Sequence, residues 1–311
     1  MIDSSHQFRS RVGIEISANS LNAVVIGDAD NIVTARLIPT IDIESSIGQL
    51  IGLVEELKRE IGGFECIGIA VPGLVDRETG RVAFSANIPK HSEVDLVTRI
   101  SDAIGMEVVI ENDANAAAYG EFCCGAGRGS ENLFYATLGD GVGGSFILSG
   151  KIWRGASGFA GEFGYVPINS EGMRLEDVAS TENIIRRTRS RFRQDSTSSL
   201  RKIDAEHIKL DQIIAAAEND DDFAQLMLER TGMYVGTVLA SVINLLNIEK
   251  IVVGGEIMRA KHLVLDAIID RAQELSFAPS FDSTTIVEGE LGVNAVAIGV
   301  AILSGQSLDK K

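Results

Sequence analysis

The segment whose residue types most directly suggest chemistry is Val108–Glu121, VVIENDANAAAYGE. A β-rich run ends at Glu111, and Asn112 and Asp113 then precede an alanine-rich stretch that reads as a helix. Two readings stand side by side. Asn and Asp cap helices by accepting orphan backbone N–H bonds, an effect of about 1 kcal/mol. The same two side chains at the carboxyl edge of a strand could instead face a ligand, with Asp113 accepting a proton from a hydroxyl that attacks a γ-phosphate. A second segment, Leu138–Ser145, reads LGDGVGGS. Its glycines let backbone N–H groups approach an anion closely, although a hairpin turn would need glycine as well. The third, Arg154–Tyr165, reads RGASGFAGEFGY and holds Glu162 between glycines and aromatics, with no basic partner nearby in sequence. A carboxylate in that setting suits a ligand hydroxyl.

The elements that must position these residues come as a repeat. Val12–Ile38 and Leu133–Trp153 each read as strand, turn, strand, turn, strand, with a tight first turn of small residues. Each is followed by helices alternating with strands. After the first come a helix over 45–61, a strand over 66–72, a helix over 94–104, a strand over 107–110 and a helix over 114–125. After the second come long helices, a strand over 250–253, a helix over 260–275, a strand over 284–288 and a last helix over 294–303. Two such copies predict two α/β domains with mixed sheets covered by helices, and a cleft between domains is the natural ligand site. The arginines of 186–193 read as a solvated helix face, with a phosphate or partner role as the alternative.

Taken together, LGDGVGG, GKIWRGASGFAGEFGY and ENDANAAAYGE resemble the ROK family of sugar kinases and sugar-responsive repressors. The likeness continues through VPGLVDRETGRV at 71–82, ANIP at 86–89, LEDVAS at 175–180 and VVGGEI at 252–257, in order, from Val12 to Leu303. It implies an actin-like ATPase fold of two RNase-H-like domains. Residues 1–122, completed by the C-terminal helix 294–311, would carry the sugar and the base, and residues 123–293 the nucleotide. It implies Asp113 as catalytic base, with Asn87, Asn112, Glu162 and Glu176 binding sugar hydroxyls. Glu15, Gly139, Asp140, Gly141, Gly143, Gly254 and Gly255 fall at the nucleotide positions, with Glu15 as a Mg²⁺ ligand. The activity implied is ATP-dependent phosphorylation of glucose or a related hexose or amino sugar.

The departures from that pattern are specific. Where the family has D-x-G-G-T-K, this chain has Glu15-Ile16-Ser17-Ala18-Asn19-Ser20, which keeps an acid but loses both glycines and the lysine. Asp140 stands where the phosphate loop has Thr, and Glu256 where a third glycine is usual. A carboxylate about 4 Å from a phosphate costs on the order of several kcal/mol at an effective dielectric of 20 unless a cation intervenes. A Mg²⁺ shared by Glu15 and Asp140 would relieve that repulsion. The alternative function is therefore a sugar-binding sensor without phosphoryl transfer. The family's structural zinc is not expected, since Tyr165 replaces its His and no cysteine follows Cys124.

The bulk composition narrows the remaining classes. The chain has 311 residues, 45% hydrophobic, with a formal charge of −16. Such acidity, with only a short segment before the first strand, leads us to expect no DNA binding by this chain itself. Apolar runs such as 236–246 read as too short and interrupted for a bilayer, and Met1–Arg11 lacks an apolar signal core. Three cysteines fit a reducing cytoplasm. The resemblance further implies a homodimer or homotetramer.

Overall fold

In the computed structural model the described residues are 10–17, 19–27, 31–40, 43–64, 66–76, 81–84 and 96–308. The chain forms two compact units. The first takes Met1–Arg128, Arg154–Ala160 and Val293–Lys311, and the second takes Gly129–Trp153 and Gly161–Gly292.

In the first unit, β1 (Arg11–Ile16), β2 (Ser20–Ile26) and β3 (Ile32–Pro39) form the expected antiparallel meander. Helix α1 (Ile43–Ile61) leads to β4 (Cys66–Val71), which lies parallel to β1 and is buried along its whole length. A hairpin the sequence reading did not anticipate follows, β5 (Leu74–Asp76) with β6 (Arg81–Phe84). Helix α2 (Leu96–Ile104) then precedes β7 (Glu107–Asn112), parallel to β4, and α3 (Asp113–Cys124). The sheet order is β3-β2-β1-β4-β7. Its central strands read as continuous apolar runs because both faces are covered, whereas β3 alternates at the edge.

The second unit repeats the plan. Strands β8 (Leu133–Leu138), β9 (Val142–Leu148) and β10 (Lys151–Trp153) make the meander. Helices α4 (Glu176–Ala179), α5 (Thr181–Arg191), α6 (Leu210–Glu218) and α7 (Asp222–Leu246) follow. Strand β11 (Lys250–Gly254), helices α8 (His262–Leu275) and α9 (Ala278–Asp282) and strand β12 (Thr285–Glu288) complete it. The order β10-β9-β8-β11-β12, with β8, β11 and β12 parallel, matches the first sheet strand for strand. Helix α7 runs far upstream of the apolar stretch noted at 236–246. At 25 residues it is long and apolar enough to cross a membrane, but it is a core helix here, with Leu228, Val235, Leu239 and Ile243 fully buried. Of the 186–193 arginines, Arg186, Arg189, Arg191 and Arg193 are exposed, as a solvated face requires, and Arg187 is half-buried. Arg187 donates to Thr231 Oγ1 at 2.7 Å, and Arg189 donates to the Ile208 carbonyl at 2.8 Å.

The last helix, α10 (Ala295–Leu308), returns to the first unit. It packs on α3 backbone to backbone. A Cβ at Gly299 would lie 1.7 Å from the Ala116 carbonyl oxygen, so only glycine permits the contact. That closeness explains why 114–118 is almost all alanine: α3 is buried from Ala114 to Glu121, and larger side chains would force the helices apart.

Candidate functional site

The Asn-Asp pair sits at the junction of β7 and α3, and the structure divides its labour. Asn112 is the helix cap, its Oδ1 accepting the Asn115 N–H at 3.0 Å. Its Nδ2 donates to the Gly73 carbonyl at 3.0 Å and to Asp113 Oδ1 at 2.9 Å. Asp113 is the first helical residue, and the same Oδ1 accepts the Ala114 N–H at 2.8 Å. One oxygen of the carboxylate is thus held by two donors near the positive end of a helix. The capping reading therefore holds for Asn112, while Asp113 beside it has one carboxylate oxygen held by two donors.

Glu15, on β1, is brought within electrostatic range of Asp113. Burial first and the Asp113 charge second push its carboxyl up to about 7, against a hydrogen bond from Asn22. Two half-buried carboxylates that repel each other are donors of the kind a hard, oxygen-seeking cation takes. Asn22 is itself held, donating to the Val293 carbonyl at 2.7 Å. The turn after Glu15 is closed from within. Ser17 Oγ accepts the backbone N–H of Asn19 at 3.4 Å and of Ser20 at 3.1 Å, and it meets Ser20 Oγ at 2.9 Å. Asn87 and Ala18 lie outside the described residues.

In the second unit, Gly139, Asp140 and Gly141 form the turn from β8 to β9, with Gly139 N–H on the Gly141 carbonyl at 3.0 Å. Asp140 is exposed at its tip, and Gly143 pairs with Thr137 in the ladder. Glu176, at the start of α4, lays Oε2 on the Val142 N–H at 2.9 Å. Glu162 is an exposed residue preceding a single helical turn at Phe163–Tyr165. Its carboxyl is pushed above the usual range by partial desolvation and then by the Glu176 charge. Gly254 ends β11, and Gly255 has φ of 94°, where a Cβ would lie 2.3 Å from the Leu138 carbonyl oxygen. Glu256 accepts from Thr181 Oγ1 at 2.5 Å, and Thr181 N–H reaches the Gly139 carbonyl at 2.8 Å. The glycines of the two nucleotide segments therefore share one neighbourhood, tied together through Thr181.

Tyr165, at the position of the zinc-binding His, carries the Arg174 guanidinium 4.3 Å over its ring. Among the described residues no group of three or more His, Cys, Asp or Glu could hold a metal ion. The sequence reading overlooked Glu111 and Arg154. Glu111 is 2% exposed and Arg154 Nη2 lies 2.5 Å from its Oε2. The only signal was an acid placed at the end of a buried strand.

The ROK family model matches residues 11–307. A glucokinase of Halalkalibacterium halodurans is 28% identical over 306 residues, covering 93% of this chain and 92% of that protein. A xylose repressor of Bacillus subtilis is 26% identical over 304 residues, covering 93% of this chain but 75% of the repressor. The crystal structure of a ROK family glucokinase from Streptomyces griseus in complex with glucose and AMPPNP superposes with a TM-score of 0.85. It is 26% identical, and the match covers 96% of this chain and 99% of that one. With these neighbours and the doubled sheet order, the fold is the actin-like ATPase fold.

Proposed function

The chain belongs to the ROK family, and from that premise we propose that it is an ATP-dependent sugar kinase acting on glucose or a related hexose or amino sugar. The observation that carries this reading is the Asp113 carboxylate pinned through Oδ1 at the head of α3. A general base must be held in place before the substrate arrives, because orientation supplies much of the rate. Asp113 takes the proton of the attacking sugar hydroxyl. Asn112, Glu162 and Glu176 accept or donate to the remaining hydroxyls, with Asn87 as a further contact. The glycine turn at Gly139, Gly141 and Gly143, with Gly254 and Gly255, is the nucleotide side, and Asp140 lies at its tip. Glu15 would hold Mg²⁺, which when bound supplies charge neutralisation for the phosphoryl group. The glucokinase likeness over nearly the whole length of both chains supports this reading. We place the protein in the cytoplasm as a homo-oligomer that takes neither DNA nor membrane as partner.

The test is sugar-dependent ADP release with ATP-Mg²⁺ across a panel of hexoses and amino sugars, with calorimetric titration of the same sugars. Turnover on any of them supports the kinase; its absence with every sugar, in a protein that still binds one, removes it. That second outcome is the sensor reading, and specific observations favour it. Ser17 Oγ already accepts the N–H groups of Asn19 and Ser20, and Glu176 accepts that of Val142, so these donors are engaged before any phosphate arrives. The xylose repressors among the relatives point the same way.

A further inference from the structure

Resting on the kinase reading, we propose that the buried Glu111–Arg154 ion pair is a positioning device for the Asp113 carboxylate. Glu111 closes the strand that delivers Asn112 and Asp113, and its carboxylate is almost fully withdrawn from water. Both oxygens are engaged. Oε2 takes Arg154 Nη2 at 2.5 Å. Oε1 accepts the Asn112 N–H at 3.1 Å and Asn115 Nδ2 at 3.2 Å. Those two donors flank Asp113 in the chain. Asn112 then passes the constraint on, with Nδ2 on Asp113 Oδ1 and Oδ1 on the Asn115 N–H.

The path from guanidinium to base is therefore continuous: Arg154 to Glu111, Glu111 to Asn112 and Asn115, Asn112 to Asp113. Arg154 is itself held, because its carbonyl accepts the Ala160 N–H at 3.0 Å and closes the glycine-rich segment it opens. A buried ion pair is weak evidence for stability, since apolar residues of equal volume commonly serve as well. What a buried, hydrogen-bonded charge pair adds is a fixed geometry at the atoms it engages. Here the atom fixed at its end is the proposed proton acceptor. A displacement of about 1 Å at such an atom can cost roughly a hundredfold in rate.

Three variants test the device. Arg154→Met removes the cation, Arg154→Lys keeps charge without the fork, and Glu111→Gln with Arg154→Met removes both buried charges together. ADP release is measured with ATP-Mg²⁺ and D-glucose, or whichever sugar of the panel the unaltered protein turns over fastest. Rates are divided by the number of sites that bind that sugar in calorimetry. Arg154→Met is expected to lower kcat per site at least tenfold with KM for sugar within threefold. Arg154→Lys should fall between, and the double variant should be no worse than Arg154→Met. An unchanged kcat per site, or a loss that merely follows the number of binding sites, overturns the proposal. Should Arg154→Met not fold, the charge-balanced double variant is compared by the same criterion.

If the unaltered protein releases no ADP with any sugar, the kinase reading has failed, and carbon-13 NMR then tests the device by itself. The Asp113 carboxyl resonance, assigned through Asp113→Asn, must change its chemical shift in Arg154→Met. An unmoved resonance overturns the positioning role.

Discussion

At the scale of single residues, Asp113 and Glu15 of the first unit are in opposite situations. Asp113 has one oxygen fixed by two donors, and its replacement by Asn keeps the shape while removing the basicity. Asp113→Asn should lower kcat by about 10²–10⁴-fold with little change in sugar affinity; steady-state ADP release beside calorimetry reads both, and full activity in the variant would sink the base assignment. Glu15 has its pKa raised from 4.5 to about 7 by burial and the Asp113 charge. The folded chain therefore binds this proton more tightly than the unfolded chain does. Stability from it is complete below about pH 4.5 and is lost as pH rises through about 7, a change on the order of 3 kcal/mol. Denaturant midpoints between pH 5 and 8 in EDTA should fall with rising pH, and Glu15→Gln should flatten that fall. Parallel slopes in the two proteins would refute it.

Elements carry their own tests. Helix α7 begins at the Asp221 cap, whose Oδ1 accepts the Ala224 N–H at 3.1 Å while Oδ2 takes Ser198 Oγ and both donors of Ser199. Burial works against its ionisation, but the bonds from Ser199, Ala224 and Ser198 outweigh it and hold the carboxyl below the usual range. Asp221→Ala should cost about 1–3 kcal/mol at pH 7. The difference should begin to shrink as pH falls past the ordinary value of 3.8 and be lost below the depressed pKa, because a lowered acid stabilises above its unfolded value and loses that effect on protonation. Urea titrations at pH 7 and pH 3.5 measure both, and an equal difference at the two pH values contradicts the account. Between α3 and α10 the expected failure is steric. Gly299→Val must push the helices apart at the Ala116 carbonyl and should destabilise by about 3 kcal/mol or more. A melting temperature within a degree of the unaltered protein would show that the contact yields.

For the whole molecule, the formal charge of −16 acts against the compact state by self-repulsion. Raising NaCl from 10 to 500 mM shortens the screening length to a few ångströms and should raise the melting temperature by roughly several degrees; a fall would mean that attractive pairs dominate. At this scale much was legible in the chain. The doubled meander read off Val12–Ile38 and Leu133–Trp153 became two sheets of matching strand order, since short apolar runs bounded by small-residue turns are local signals. The β5–β6 hairpin was not legible, because strands of three and four residues carry too little pattern. The long helices expected after the second meander include α7, but its start at Asp222 is not marked by pattern, since Thr231 and Gly232 dilute its apolar face without interrupting the helix.

The sequence by itself determined the family, the two α/β repeats and the residue types at the candidate site, because these depend on order, spacing and side-chain chemistry along the chain. Tertiary structure alone decided which of those residues act on one another. It brought Glu15 into the field of Asp113, closed the 17–20 turn on its own hydroxyl, laid Glu176 on the Val142 N–H and paired Glu111 with Arg154, 43 residues along the chain. Each of these is an interaction in a partly or wholly desolvated place. Its partner and its strength depend on distance and on exclusion of water, neither of which is written in local sequence.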